Sequence, residues 1–472
     1  MDHQQFIYKC KGCIRVLENV VELSNHRAVC DKLTNIMNST REQLKTHYNK
    51  VLNMDKSTYK SSNDEPTPIE CIEEMMAKLP EELWSRTNLK ILDPCCGNGN
   101  YALPIYYKLL ERGLSQQNIL ENVLYFNDIN QDRLYNVRTT FCNRTNRLNI
   151  FQQDFLAPFT SLSIESAGKY DLVMANPPYA KLMEDGSRAS KNHNLIKDFI
   201  EASLRLLKPD GYLMFISPDN WMSYADRNVL IEKLTSLQII HLDIHSAKKH
   251  FKKVGSSFTW YIIQNRPAFK NMTVSGIWKG AAFSGSVISK PRKYIPLLYD
   301  DVVESILAKT VDNDALPKFQ VKTSSDLHRY TKRDLISNTQ TDTHVHRLIH
   351  TPSQTVYANR AHKFQEGYKV FLSVTDKYAI FVDNCGMTQS IVFILCESQE
   401  QANQYKKILE HPLYVFINNI CRWGNFNNIR VLQHFPICPI ITFPNDNNNI
   451  EEIIYKHFNI TEQEQKYIKD HL

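Results

Sequence analysis

Long apolar runs are missing from this chain. No stretch approaches the ~18 residues that a membrane span requires, and the mean hydropathy is -0.40, so no membrane association is expected. The N-terminus, Met1-Asp2-His3-Gln4-Gln5, has neither the basic region nor the apolar stretch of a secretory signal. An intracellular setting is therefore expected, cytoplasmic or nuclear, a virus-infected host cell included. No internal repeat is visible. Neither sign of charge dominates: 56 Lys and Arg against 50 Asp and Glu leave +6, which permits a polyanionic partner without demanding one. Eleven cysteines without a secretion signal argue for reduced thiols, with metal binding as their special use. A chain that is 42% hydrophobic and 22% charged can bury a substantial core. Its 472 residues exceed one ordinary domain and suggest about three.

Four of the cysteine and histidine residues cluster early. Cys10, Cys13, His26 and Cys30 have the spacing C-x2-C-x12-H-x3-C, in which a two-thiolate knuckle and one helical turn close tetrahedrally on Zn²⁺. Tyr8, Leu17 and Leu23 fall where a small ββα unit needs its apolar contacts. This segment resembles the C2H2 zinc fingers, with Cys30 in place of the second histidine. The positions that would face bases, Asn19, Glu22 and Asn25, lack the arginines that grip guanine, so protein contact or domain docking suits the finger equally well.

A helix is expected over 39–52, with Ser39 and Glu42 as a capping box and Leu44, Tyr48, Val51 and Leu52 as its stripe. The polar segment 55–64 reads as a linker. From 65 to 265 strands and helices alternate. Strands are expected at 90–93, 122–127, 148–151, 170–175 and 211–217, and helices at 101–111 and 194–207. That rhythm implies a doubly wound α/β sheet, whose ligands bind beyond the carboxyl ends of the strands. After Pro267 the rhythm gives way to short strands, polar loops, aromatics and basic pairs such as Arg292 with Lys293 and Lys318 with Lys322. Thr461 and Glu464 form the capping box of a last helix.

Chemistry is concentrated at strand ends. Asp93-Pro94-Cys95-Cys96-Gly97-Asn98-Gly99 follows the first strand, and Gly97 and Gly99 let the backbone approach a ligand closely. A plain tight strand-to-helix turn has the same pattern. The second strand ends in Asp128, suited to a pair of ribose hydroxyls, and the third in Asp154-Phe155, suited to an adenine amino group and ring face. Asn176-Pro177-Pro178-Tyr179 directly follows the apolar run Leu172-Val173-Met174-Ala175. Proline removes backbone donors, so the Asn176 side-chain oxygen and the Pro177 carbonyl can both accept hydrogens from a planar NH₂. Tyr179 offers a stacking face for an aromatic base.

In this order the motifs resemble the amino-methyltransferases that use S-adenosylmethionine, and among them the gamma-class adenine-N6 DNA methyltransferases of type II restriction-modification systems. The resemblance runs from about Asp64 to Pro267. It implies cofactor contacts at Thr67 (within Glu65-Pro66-Thr67-Pro68), Asp93, Gly97, Gly99, Asp128, Asp154 and Phe155, and catalysis by Asn176, Pro177 and Tyr179. Phe199 sits where the family often has a further cofactor contact. Phe251, in Phe251-Lys252-Lys253-Val254-Gly255-Ser256-Ser257-Phe258, corresponds to the aromatic that stacks with Tyr179 on the extruded base, with Phe258 as the alternative. Cys95-Cys96 departs from the family pattern, and both are read as small buried side chains. The tail, Cys421-Arg422-Trp423-Gly424 with Phe435-Pro436-Ile437-Cys438-Pro439, looks like the close of a target-recognition domain.

The expected organisation is a finger at 1–32, a linker helix at 33–62, a Rossmann-like class I S-adenosylmethionine-dependent methyltransferase domain at 63–268, and a mixed α+β target-recognition domain with a C-terminal helix at 269–472. The expected activity is methyl transfer to adenine N6 of duplex DNA with base flipping, with S-adenosyl-L-methionine as cofactor and structural Zn²⁺. A separate cognate restriction endonuclease is compatible with this reading. RNA bases and protein glutamine amides present the same planar NH₂ and remain alternatives. A regulator with an inactive methyltransferase fold is the rival of a different class.

Overall fold

An uninterrupted apolar strand can be satisfied only in a sheet covered on both faces. In the computed structural model Tyr170–Ala175 is buried at every position. The structure describes residues 8–55, 57, 65–143, 147–157, 167–179, 195–226, 228–251, 255, 257–375, 377–424, 426–439 and 447–472. Most of the expected linker 55–64 lies outside these residues, as do Asn194, Lys252, Lys253, Val254 and Ser256. The chain divides into two units. The first holds Met1–Asp219, Lys233–Ile277 and Ile288–Pro291, and the second holds Asn220–Glu232, Trp278–Val287 and Arg292–Leu472.

In the first unit, eight strands form one sheet: β1 (Ile91–Asp93), β2 (Leu124–Asn127), β3 (Asn149–Phe151), β4 (Tyr170–Ala175), β5 (Leu207–Pro218), β6 (Leu237–Ile244), β7 (Phe258–Pro267) and β8 (Met272–Trp278). Their order is β8-β6-β7-β5-β4-β1-β2-β3. All neighbours pair parallel except β7, which runs antiparallel between β5 and β6. The chain leaves β1 toward β2 and β3 on one side, then returns to β4 and β5 on the other, so the topological switch lies between β1 and β4. The expected domain boundary at 268/269 moves to about 277, because Met272–Trp278 joins the sheet beside β6.

Two short antiparallel strands, Tyr8–Lys9 and Val16–Leu17, and the helix Val20–Val29 build the N-terminal ββα unit. Tyr8, Leu17 and Leu23 pack with Cys10 and Cys30, as their spacing implies. The next helix, Arg41–His47, is capped one residue later than expected: Thr40 and Gln43, not Ser39 and Glu42, make the reciprocal capping bonds. It is no linker, since Leu44 and Tyr48 are fully buried in the main core.

The second unit contains two small sheets. One orders Ile336–Ser337, Gln354–Ala358, His346–Thr351 and Gly386–Met387, and the other Ile380–Asp383, Lys369–Ser373 and Ile391–Leu395. Its last helix, Glu462–His471, carries the expected Thr461/Glu464 box. Glu464 also binds Lys309 at 2.7 Å. One member of each basic pair is tied down within the unit. Arg292 is buried against Glu304 at 2.8 Å, and Lys318 donates to the carbonyls of Thr310 and Val311.

One buried charge holds the start of β4. Asp171 is 2% exposed, and it receives Lys208 at 2.7 Å, Arg86 at 3.2 Å and the backbone N–H of Lys90 at 2.9 Å. Asp171→Ala strands that amide and releases two cations that water can reach. A loss of about 2–3 kcal/mol is expected, measured by urea unfolding of the full chain.

Candidate active site

The loop that leaves β1 is strained where glycine tolerates strain. Gly97 has φ 54° and Gly99 φ 87°. A Cβ on Gly97 would meet open space, whereas one on Gly99 would lie 2.9 Å from Phe141, so Gly99 permits close packing and Gly97 close approach by a ligand. The end of β2 clasps the loop: Asn127 donates to the Pro94 carbonyl at 2.8 Å, and Cys96 N–H donates to the Asn127 carbonyl at 2.8 Å. Gly97 N–H donates to Asp128 Oδ2 and Asn130 N–H to Asp128 Oδ1, both at 2.8 Å. Asp93 Oδ2 is buried and has no hydrogen-bond partner among the described residues. Burial, reinforced by the charge of Asp128, pushes the Asp93 carboxyl well above the usual carboxylate range.

Across the switch, the loop after β4 faces the same gap. Asn176 Nδ2 donates to the Glu65 carbonyl and to Thr67 Oγ1, each at 3.0 Å. With its nitrogen engaged twice, the amide presents Oδ1 as acceptor, and Tyr179 Oη donates to it. The same hydroxyl lies 3.2 Å from the Ile216 carbonyl. Thr67, expected as a cofactor contact, thus also orients Asn176, and its own carbonyl accepts from Asn100 at 2.9 Å. A cleft is lined by Pro66, Thr67, Cys95, Cys96, Gly97, Asn98, Asn100, Tyr101, Arg133 and Asn176. Cys96 is buried as expected, whereas Cys95 is half-exposed at the cleft.

The remaining expected residues fall around this centre. Phe258 lies beside Tyr179 with ring centroids 6.3 Å apart, and Phe251 packs on Phe258 at 5.1 Å. Phe258, the alternative, is the ring next to Tyr179. Phe155 stacks on Phe199 at 5.7 Å, joining two residues that sequence placed far apart. Asp154 Oδ1 accepts from Leu156 N–H at 3.0 Å, and neither Asp154 nor Phe155 lines the cleft.

Two groups went unnoticed in the sequence. Asn98 is held from three directions: its carbonyl accepts from Tyr48 Oη at 2.8 Å, its Nδ2 donates to Leu52, and its Oδ1 accepts from Asn136 at 2.9 Å. At the rim, His245 Nε2 meets Asp219 Oδ2 at 2.5 Å, and His245 N–H donates to the Phe258 carbonyl at 3.2 Å. The pair joins the carboxyl ends of β5 and β6 across the start of β7, and His245 adopts φ 71°, rare for a residue with a side chain. Both follow strand ends directly, and that position is the signal that could have found them.

Comparison with known proteins finds likeness in sequence and in fold. Residues 105–248 match the Eco57I restriction-modification methylase family. The chain is 29% identical over 187 residues to the type II methyltransferase M.VspI of Vibrio sp. (strain 343), across 37% of this chain and 42% of that one. The match thus spans less than half the length of that relative. Among solved structures, the DrdV–DNA complex aligns with a TM-score of 0.53 at 12% identity, over 87% of this chain and 59% of that one. A nuclease-deletion mutant of the type ISP restriction-modification enzyme LlaGI, in complex with a DNA substrate mimic, aligns at 0.51 and 13%, over 92% and 56%. The segment 105–248 is thus similar to restriction-modification methylases, and the fold resembles that of the DNA-complexed enzymes DrdV and LlaGI.

Of the expected cofactor contacts, Thr67 and Gly97 line the cleft, whereas Asp93, Gly99 and Asp128 lie outside its lining, with Asp93 and Asp128 both buried. The expected cofactor, S-adenosylmethionine, is a cation with hydroxyls. A cation nearby favours ionised Asp93. Affinity for S-adenosylmethionine is therefore expected to be full above the raised Asp93 pKa and to fall as pH drops through it. That fall should begin at a higher pH than an ordinary carboxylate would give. Calorimetric titration across pH checks this, and Asp93→Asn should weaken binding and flatten the profile.

Proposed function

We propose that the chain transfers a methyl group from S-adenosylmethionine to the N6 amino group of adenine in duplex DNA. The observation that carries this reading is the Asn176 amide, pinned through its nitrogen by Glu65 and Thr67 so that Oδ1 is offered as an acceptor. An exocyclic NH₂ that donates to Asn176 Oδ1 and the Pro177 carbonyl loses conjugation with its ring, and its lone pair becomes available. The bound cofactor would supply an electrophilic methyl on a positive sulfur. Thr67, Asp93, Gly97, Gly99 and Asp128 would hold it, with Asp154 and Phe155 toward its adenine. Positioning dominates the rate gain, and no dedicated general base is needed, since the proton can leave after transfer.

An amino group inside the duplex is out of reach, so the base must be extruded at roughly a few kcal/mol. Tyr179, with Phe251 or Phe258, would offset this at ~1–3 kcal/mol per stacked face. DNA as partner is supported by the DNA-bound relatives of similar fold and by the family of the matched segment. The second unit is read as the target-recognition domain. Tyr330 and Phe426 are exposed there at 59% and 58%, large apolar surfaces suited to contact. Among the described residues no helix is long and apolar enough to cross a membrane.

The N-terminal cluster is read as a structural zinc site. The ligand atoms of Cys10, Cys13, His26 and Cys30 all lie within 4.8 Å of one another. The Cys10 and Cys30 sulfurs are 3.9 Å apart, close to the roughly 3.8 Å edge of a tetrahedron with 2.3 Å Zn–S bonds. A hydrogen bond from the Arg15 backbone, with His26 contributing, lowers the Cys13 thiol to about 7, toward the thiolate a metal needs.

Two substitutions test the catalytic reading. Asn176→Ala is expected to lower methyl transfer from labelled cofactor about 10²–10³-fold while cofactor affinity changes little; turnover like that of the wild type would refute the assignment. Tyr179→Phe keeps the stacking face and removes only a hydroxyl that competes for Asn176 Oδ1. Its rate should stay within about twofold, whereas Tyr179→Ala forfeits the ~1–3 kcal/mol of stacking. Expression in a methylation-free bacterium, followed by single-molecule sequencing, reports the modified atom and the recognised site.

A further inference from the structure

We propose that the N-terminal metal cluster positions the cofactor loop, acting through helix Gln131–Thr140, with Tyr135 and Asn136 as the positioning residues. This rests on the reading of the cleft as the S-adenosylmethionine site and of the cluster as a zinc site.

The two residues that dock the finger are neighbours of the metal ligands. Lys11 lies between Cys10 and Cys13, and Arg27 directly follows His26. Both converge on Tyr135: the Arg27 guanidinium sits 4.3 Å from its ring centroid and the Lys11 ammonium 4.4 Å. Lys11 N–H donates to Tyr135 Oη at 3.3 Å, and the Lys11 ammonium binds Asp132 at 3.3 Å. Arg27 is only 3% exposed, and its guanidinium is buried against the ring face. A metal that fixes the knuckle and the helical turn therefore fixes both cations on one ring.

The next residue of that helix reaches the loop. Asn136 Nδ2 donates to Asn98 Oδ1 at 2.9 Å, between Gly97 and Gly99. Val137 and Phe141 pack so closely on Gly99 that a Cβ would lie 3.4 and 2.9 Å from them. Arg133, two residues before Tyr135, lines the cleft itself. The chain leaving the finger is tied to the same helix, since Ile36 N–H donates to the Thr140 carbonyl at 3.0 Å. One helix thus presents a ring to the finger and an amide to the cofactor loop. Without metal, Lys11 and Arg27 lose their fixed backbone, Tyr135 loses its contacts, and the loop is free to sample conformations that bind the cofactor less well.

The experiment uses the full chain, with zinc counted by elemental mass spectrometry and S-adenosylmethionine affinity measured by calorimetry. One zinc per chain is expected. Its removal by chelator should raise the cofactor Kd about tenfold, and by reciprocity saturating cofactor should tighten zinc by the same factor. Tyr135→Ala should retain zinc, bind cofactor as weakly as the zinc-free chain, and lose the dependence of Kd on zinc. Tyr135→Phe should restore most of the coupling. A zinc-loaded chain whose cofactor Kd is unchanged by zinc removal overturns the positioning role alone. A chain without zinc overturns the metal reading, and a zinc-loaded chain that binds no cofactor overturns the reading of the cleft. Tyr135→Ala carries the test should chelation unfold the finger, because that variant leaves the four ligands intact.

Discussion

Everything at the site follows from the pairing of β1 with β4. These strands lie side by side and parallel, with Ile91 opposite Leu172 and Leu92 opposite Val173, yet the chain departs from them toward opposite halves of the sheet. Their exit loops have no covering strand and must share one gap. The glycine turn enters from one side and Asn176 from the other. Side chains in a strand alternate faces, so a slip of one residue in this register would turn β4 over and carry Asn176 away from Thr67. The buried anchors at the start of β4, where Asp171 meets Arg86 and Lys208, oppose such a slip.

Most of this frame was legible in the sequence because it is written in periodicity. The strand Tyr170–Ala175 and the cap Thr461/Glu464 fall where the sequence places them, and the apolar trio of the finger packs as its spacing requires. Gly97 and Gly99 advertise themselves, since few other residues accept their backbone angles. What escaped depends on partners distant in sequence. Tyr48 reads as one residue of an amphipathic stripe, and nothing local says that its hydroxyl will hold the Asn98 carbonyl fifty residues on. Arg292 and Lys318 read as halves of basic pairs, yet Arg292 is buried against Glu304 and the half-buried Lys318 donates to carbonyls. The cap of helix Arg41–His47 missed by one residue because Ser39-Thr40-Arg41-Glu42-Gln43 offers two overlapping boxes, and only contacts elsewhere choose between them.

Around the loop after β1 the fold relies on asparagine amides. Asn98 bonds Leu52 and Asn136, Asn100 bonds Asn53 and Thr67, and Asn127 bonds Pro94 and Gln153. Such a set of amide bonds is costly to break, because the interior offers no water as substitute. It suits a loop that must stay open at Gly97 and cannot be filled with apolar side chains. It also explains why the segment between finger and sheet is so closely integrated: the loop's partners at Leu52 and Asn53 come from there.

The hydroxyl of Tyr179 now occupies the acceptor that the proposed substrate needs. Asn176 is half-buried at the cleft, and its Oδ1 is already engaged. Tyr179 donates to it, and the Ile216 carbonyl lies within reach of the same hydroxyl. An incoming NH₂ therefore exchanges one hydrogen bond for another and leaves the hydroxyl an alternative acceptor. The ring, half-buried beside Phe258, stays in place as a stacking face. A methylated amine has a single N–H left and cannot satisfy Asn176 Oδ1 and the Pro177 carbonyl together. On the proposed chemistry the returning tyrosine hydroxyl then outcompetes product for Asn176, so the contact that keeps the resting site satisfied also favours release after one transfer.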